Sequence, residues 1–132
     1  MATEGIRYLT YADAILIHIV VMRYYRETRF GAFDRNLIES ALARPQHAAV
    51  YEEADLVRQA PTLCFGLIKS HPWEGGNKRT STAITNEFLK RNKRKIAARK
   101  DELIEMVLAV EAGQWKVDEI ENWIRQHLAT YP

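Results

Sequence analysis

The segment His71-Pro72-Trp73-Glu74-Gly75-Gly76-Asn77-Lys78-Arg79-Thr80 gathers an imidazole, two adjacent glycines and a cationic pair within ten residues. Each of these residue types has a use in handling phosphate. A neutral imidazole such as that of His71 can accept a proton near neutral pH. Gly75 and Gly76 permit close backbone approach and dihedrals that other residues avoid. Free amides at a helix start attract phosphate oxygens. Lys78 and Arg79 can neutralise further charge, Arg79 through a planar fork of donors. The spacing departs from GxxxxGK[ST] and no strand precedes it, which excludes a P-loop. Taken alone, the residues also fit an ordinary solvated helix cap with a structural histidine.

Such a segment needs an element on each side to hold it. Upstream, Glu53 to Ser70 has helical spacing through Leu56, Val57, Ala60, Leu63 and Leu67, with Pro61 marking a kink or a new helical start. Downstream, Asn77 to Lys90 predicts a helix whose contact surface comes from Ala83, Ile84, Phe88 and Leu89. Nearer the N-terminus, Tyr11 to about Thr28 reads as a helix with Ile15, Ile19, Met22 and the Arg26 stem on one face. Thr10 is placed to cap it, Asp13 to face its first-turn amides, and the Gly31 region to end it. Arg35 to Arg44 predicts a short helix stopped by Pro45, and residues 45–52 a connector or short extended flap. Lys100 to Val110 and Val117 to Leu128 complete an expected set of six or more helices. The expected fold class is all-α, a single helical domain over residues 1–132 with a short flap.

Composition limits what this domain can be. A chain of 132 residues is one ordinary domain, and 47% hydrophobic with 27% charged residues supports a folded core. Cys64 is the one cysteine, so a disulfide framework and a multi-cysteine zinc site are excluded, and Cys64 reads as a small core residue. No stretch has the roughly 18 uncharged apolar residues of a membrane span, and MATEGIRYLT lacks the pattern of a secretory leader, so a cytoplasmic protein is expected. Residues 69–100 carry 10 Lys or Arg against two acidic residues, a formal +8, which leaves −6 for the rest of a chain whose total is +2. That basic run, through Lys90, Arg91, Lys93, Arg94, Lys95, Arg99 and Lys100, could steer an anionic ligand or partner. No groove-reading element accompanies it, and Trp73, Trp115 and Trp123 read as packing residues, so direct nucleic-acid binding is not expected.

The segment from His71 to Arg79 resembles the central motif of the Fic/Doc superfamily, and its Asn77-Lys78-Arg79 ending resembles the Doc (death-on-curing) toxin branch. The similarity extends through LTYADAILIH (9–18), LIESALARPQ (37–46) and TSTAITNEFLKRN (80–92), about residues 9–95 in all. The resemblance implies His71 as general base towards an incoming hydroxyl, and Gly76, Asn77, Lys78 and Arg79 as the nucleotide-phosphate site. It implies ATP and magnesium as cofactors. Family members transfer part of a nucleoside triphosphate to a protein hydroxyl. Many AMP transferases have Gly where Lys78 stands, and Doc proteins transfer the terminal phosphate. By that comparison the chain would phosphorylate a threonine of translation elongation factor Tu and arrest translation, held in check by a separate antitoxin.

Two departures from the family pattern qualify this expectation. The motif usually has Asp or Glu two residues before Asn77, where it helps hold magnesium, but Gly75 stands there. Glu74, one place earlier, is the candidate ligand, and the tight oxygen geometry that magnesium demands makes the displacement matter. Trp73 replaces a more usual Phe. Outside the central motif itself no [ST]xxxE[GN] inhibitory segment is present, so inhibition by a separate protein is expected. Protein AMP transfer is the second reading, and a catalytically impaired antitoxin-binding or regulatory protein the third.

Overall fold

The computed structural model describes residues 5–27 and 33–132. Six helices and one small sheet make up this part: α1 (Tyr11–Tyr24), α2 (Arg35–Glu52), α3 (Leu56–Ser70), α4 (Asn77–Lys90), β1 (Arg94–Ile96), α5 (Lys100–Glu111), α6 (Val117–Gln126) and β2 (Leu128–Thr130). The architecture is therefore mostly helical, as expected. Its sheet pairs β1 and β2 antiparallel, with Lys95 opposite Ala129.

α3 is the central element because almost its whole circumference is apolar or small. Val57, Ala60, Leu63, Cys64, Leu67 and Ile68 are all buried, and α2, α4, α5 and α6 pack around them. Cys64 lies in this core, where burial pushes its thiol up to about 12, so it is inert packing. Its N-cap is Asp55, whose carboxylate accepts from the Arg58 amide at 2.9 Å, so the helix starts at Leu56 rather than at Glu53. Pro61 lies within it without ending it.

α1 begins as the sequence predicts. Thr10 Oγ1 accepts from the Asp13 amide at 3.1 Å, and Asp13 accepts from the Thr10 amide at 2.8 Å, a reciprocal cap that satisfies two donors. Its buried stripe runs through Ala14, His18 and Met22, with Ile15 and Ile19 only half-buried and Arg26 exposed. α1 ends at Tyr24, short of the expected Thr28, with Tyr25 as its C-cap and Arg26 in the left-handed region, while the Gly31 break lies outside the described residues.

Two expectations for the middle of the chain are corrected. α2 does not stop at Pro45 but continues to Glu52, so residues 45–52 are neither connector nor flap. Its buried stripe, Ile38, Ala41, Pro45 and Ala48, passes through the proline at unbroken three- and four-residue spacing. Packing that stripe against α3 offsets the roughly 3 kcal/mol that an interior proline costs. The extended pair lies instead at β1 and β2, so Leu128 belongs to a strand and α6 ends at Gln126.

His127 holds this last corner together. Its Nδ1 lies 2.8 Å from the Trp123 carbonyl and its Nε2 3.0 Å from the Glu102 carboxylate. Both ring nitrogens face acceptors, an arrangement that only the doubly protonated ring satisfies fully.

Candidate active site between α3 and α4

The loop from α3 to α4 is shaped by side chains that fold back onto its own backbone. His71 caps α3 in the left-handed region, with φ 48° and ψ 60°, and its amide donates to Leu67 O at 3.3 Å. A non-glycine residue there costs about 1–3 kcal/mol, so the surrounding contacts must hold it. They do so on three sides. Asp34 N donates to Pro72 O at 2.8 Å, and Phe33 bridges to Trp73, fastening the loop to the start of α2. The Trp73 ring is buried and stacks on His18 at 5.0 Å between centroids, while His18 Nδ1 lies 3.0 Å from Thr80 Oγ1. Asn77 Oδ1 accepts from Trp73 N at 3.0 Å and its Nδ2 donates to Trp73 O at 2.6 Å, which closes the loop with one side chain.

The two glycines differ. Gly76 has φ 74° and is the N-cap of α4; a Cβ there would lie 2.6 Å from the buried Met22 sulfur. Gly75 lies outside the left-handed region, and a Cβ on it would meet Met22 Cε at an ordinary 3.9 Å. Only Gly76 is required by the backbone.

α4 starts without a side-chain cap and without an acidic residue in its first turn. Its first intrahelical bond runs from Thr80 N to Gly76 O at 2.8 Å, so the amides of Asn77, Lys78 and Arg79 precede the ladder. Together with the helix dipole, they form a positive end suited to an anion.

The charged side chains divide between two hollows. His71 and Glu74 line one of about 660 Å³, with Phe33 and Asp34 on its other wall. Lys78 and Arg79 line a second of about 580 Å³, bounded by Tyr25, Lys100, Leu103 and Val107. The Arg79 guanidinium sits over the Tyr25 ring at 3.9 Å and lies 3.8 Å from Glu27. Between the two groups stands Glu111, at the end of α5. Its Oε2 is 3.5 Å from His71 Nε2 and its Oε1 is 3.4 Å from Lys78 Nζ. Sequence reasoning missed this residue, because nothing in the chain pattern links it to a motif some 40 positions away.

The fit to magnesium is partial. Among the described residues no three His, Cys, Asp or Glu side chains converge on one point. Glu74 is the exposed carboxylate of the loop, and Asn77 bonds to the Trp73 backbone. One carboxylate suffices where nucleotide phosphates and waters supply the remaining oxygens.

The basic run is less uniform than its count suggests. Arg91 pairs with Asp13 at 3.0 Å and Glu87 at 3.1 Å, and Arg99 with Asp101 at 3.1 Å. Lys90 lies over the Tyr131 ring at 5.3 Å. Trp73 and Trp123 are buried and Trp115 packs against the core, which is the packing role expected of them. Among the described residues, no helix is long and apolar enough to cross a membrane.

Residues 8–89 match the family model described as the Fic/DOC family. No curated protein matches the chain. The matched segment takes in α1 to α3, the loop and nearly all of α4, more than half the chain, and the protein belongs to this family.

Proposed function

We propose that this member of the Fic/DOC family is a Doc-like phosphotransferase, moving the terminal phosphate of ATP to a protein hydroxyl. The observation that carries the reading is the uncapped start of α4, flanked by Lys78 and Arg79 and preceded by His71 on the other side of a braced loop. Here His71 takes the proton of the acceptor hydroxyl. The oxygen attacks the terminal phosphorus, the bond to the bridging oxygen breaks, and ADP departs. The amides of Asn77, Lys78 and Arg79 stabilise charge on the phosphate oxygens, and the two cationic side chains neutralise the leaving diphosphate. Asn77 acts through the loop it closes. Magnesium bound with the nucleotide would neutralise charge between its phosphates, with Glu74 as the protein ligand.

The preferred acceptor is a threonine of translation elongation factor Tu, with arrest of translation as the result and a separate antitoxin protein as the restraint. The cytoplasm is the compartment this reading requires. Lys78, where many AMP transferases of the resemblance have Gly, favours terminal-phosphate transfer over AMP transfer. The absence of a carboxylate at Gly75 supports a second reading, a partner-binding protein with impaired chemistry. Incubation with ATP labelled at either the alpha or the terminal phosphorus separates these readings. Label from the terminal position alone in the acceptor protein is the expected result. Alpha label would mean AMP transfer, and neither label, with ATP still bound, the impaired protein.

A further inference from the structure

We infer that Glu111 is a positioning residue of this site, holding the His71 ring and the Lys78 ammonium on the two oxygens of one carboxylate. The inference rests on the phosphate-transfer reading for its consequence, though not for the contact itself. Glu111 lies beyond the residues that match the family model, so the pairing is a property of this chain's C-terminal part.

Three observations carry it. First, the position is unfavourable for an acid. Glu111 is the last residue of α5, where the helix dipole presents its negative end, and no basic residue lies in that last turn. Second, the Glu111 side chain is only 20% exposed, while those of His71 and Lys78 are 51% and 55% exposed. A largely desolvated carboxylate needs cationic partners, and these two provide them. Third, its support is rigid. Met106, Val107 and Val110 anchor α5 in the core, and the amides of Gly113, Gln114 and Trp115 close the helix end onto Val110 and Ala109.

The consequence is a division of labour on the His71 ring. With the Glu111 carboxylate 3.5 Å from Nε2, the ring is favoured in the orientation seen here, and its second nitrogen is the one left to accept the proton of the hydroxyl. The same carboxylate restrains Lys78, which otherwise ends a flexible four-carbon stem.

The test is Glu111→Gln in the full chain, alone and combined with His71→Ala. Transfer should fall roughly tenfold in the wild-type background and by clearly less in the His71→Ala background, where only the contact with Lys78 remains to be lost. ATP should bind as well or better, the melting temperature should hold or rise, and Glu111→Asp should recover part of the rate. An equal loss in both backgrounds, or a lowered melting temperature, would reduce Glu111 to a structural ion pair. Faster transfer would make it an internal plug instead, and would also overturn the inference. If the wild-type chain transfers nothing, the phosphotransferase reading fails by itself. The contact is then read from the His71 ring proton signal, identified by its loss in His71→Ala. That signal should move on Glu111→Gln and stay put on Glu105→Gln, and an unmoved signal would overturn the pairing.

Discussion

Two histidines of this protein each stand beside a glutamate of α5, at opposite ends of that helix. His127 meets Glu102 at 3.0 Å and places its second nitrogen 2.8 Å from the Trp123 carbonyl, with 16% of its side chain exposed. His71 meets Glu111 at 3.5 Å and is 51% exposed. The first ring is satisfied at both nitrogens and sheltered, so it holds the α6–β2 corner. The second is paired on one side only, left-handed in its backbone and beside an open hollow, so one nitrogen stands outside the pairing, as the proposed base requires. A histidine's use is set by how many of its two nitrogens the fold consumes.

Replacing His71 by Ala should sharpen this contrast most. Transfer should fall by about 10²–10⁴-fold while ATP affinity largely survives. A rate assay beside a binding titration checks both halves. Equal transfer rates would remove His71 from the role of base and erase the distinction from His127.

Gly76→Ala should come next, costing about 1–3 kcal/mol of stability through the left-handed backbone and the encounter with Met22. Gly75→Asp should cost little by the same denaturant melts and should strengthen magnesium-dependent ATP binding, since its Cβ has room. If the two substitutions destabilise equally, the assignment of separate roles to these glycines is wrong.

Arg79→Ala should weaken ATP binding roughly tenfold, in line with the loss of one charge-assisted contact at a half-exposed site. Calorimetric titration with ATP and magnesium decides it. Unchanged binding and turnover would leave Arg79 only its packing over Tyr25.

The smallest effect concerns the closed histidine. The Trp123 carbonyl, followed by Glu102, holds the His127 imidazole above its ordinary 6.5, against the opposing effect of burial. A raised imidazole contributes stability in full below its unfolded value and loses it as pH rises through the folded one. Glu102 is held below its ordinary 4.5, first by the Arg99 amide and then by His127, so its share is lost only in stronger acid. The melting-temperature gap between wild type and His127→Gln should therefore be widest between about pH 4.5 and 6.5 and narrow above it. A gap that widens with rising pH would contradict the doubly bonded, protonated ring.

The sequence made the loop and its two helices readable because their signals are local. Thr10 and Asp13 lie three residues apart and cap each other; Gly76 and Asn77 shape a turn within a few positions of His71. What stayed hidden depended on distant partners. Pro45 reads as a stop until α3 covers the stripe from Ile38 to Ala48. β1 reads as part of a charged run until β2 pairs with it from some 35 residues away. Met22 looks like plain core, yet its sulfur stands 2.6 Å from where a Cβ on Gly76 would lie. Glu111 closes an expected helix one residue beyond its predicted end, and its partners belong to another part of the chain.

The most direct test is mass analysis of purified elongation factor Tu, intact and as peptides, after incubation with magnesium, ATP and either this protein or its His71→Ala form. One added phosphate on a threonine with the wild-type chain, and none with His71→Ala, is the predicted result. An unmodified factor in the presence of folded, ATP-binding protein, or equal modification by the two forms, would contradict the account.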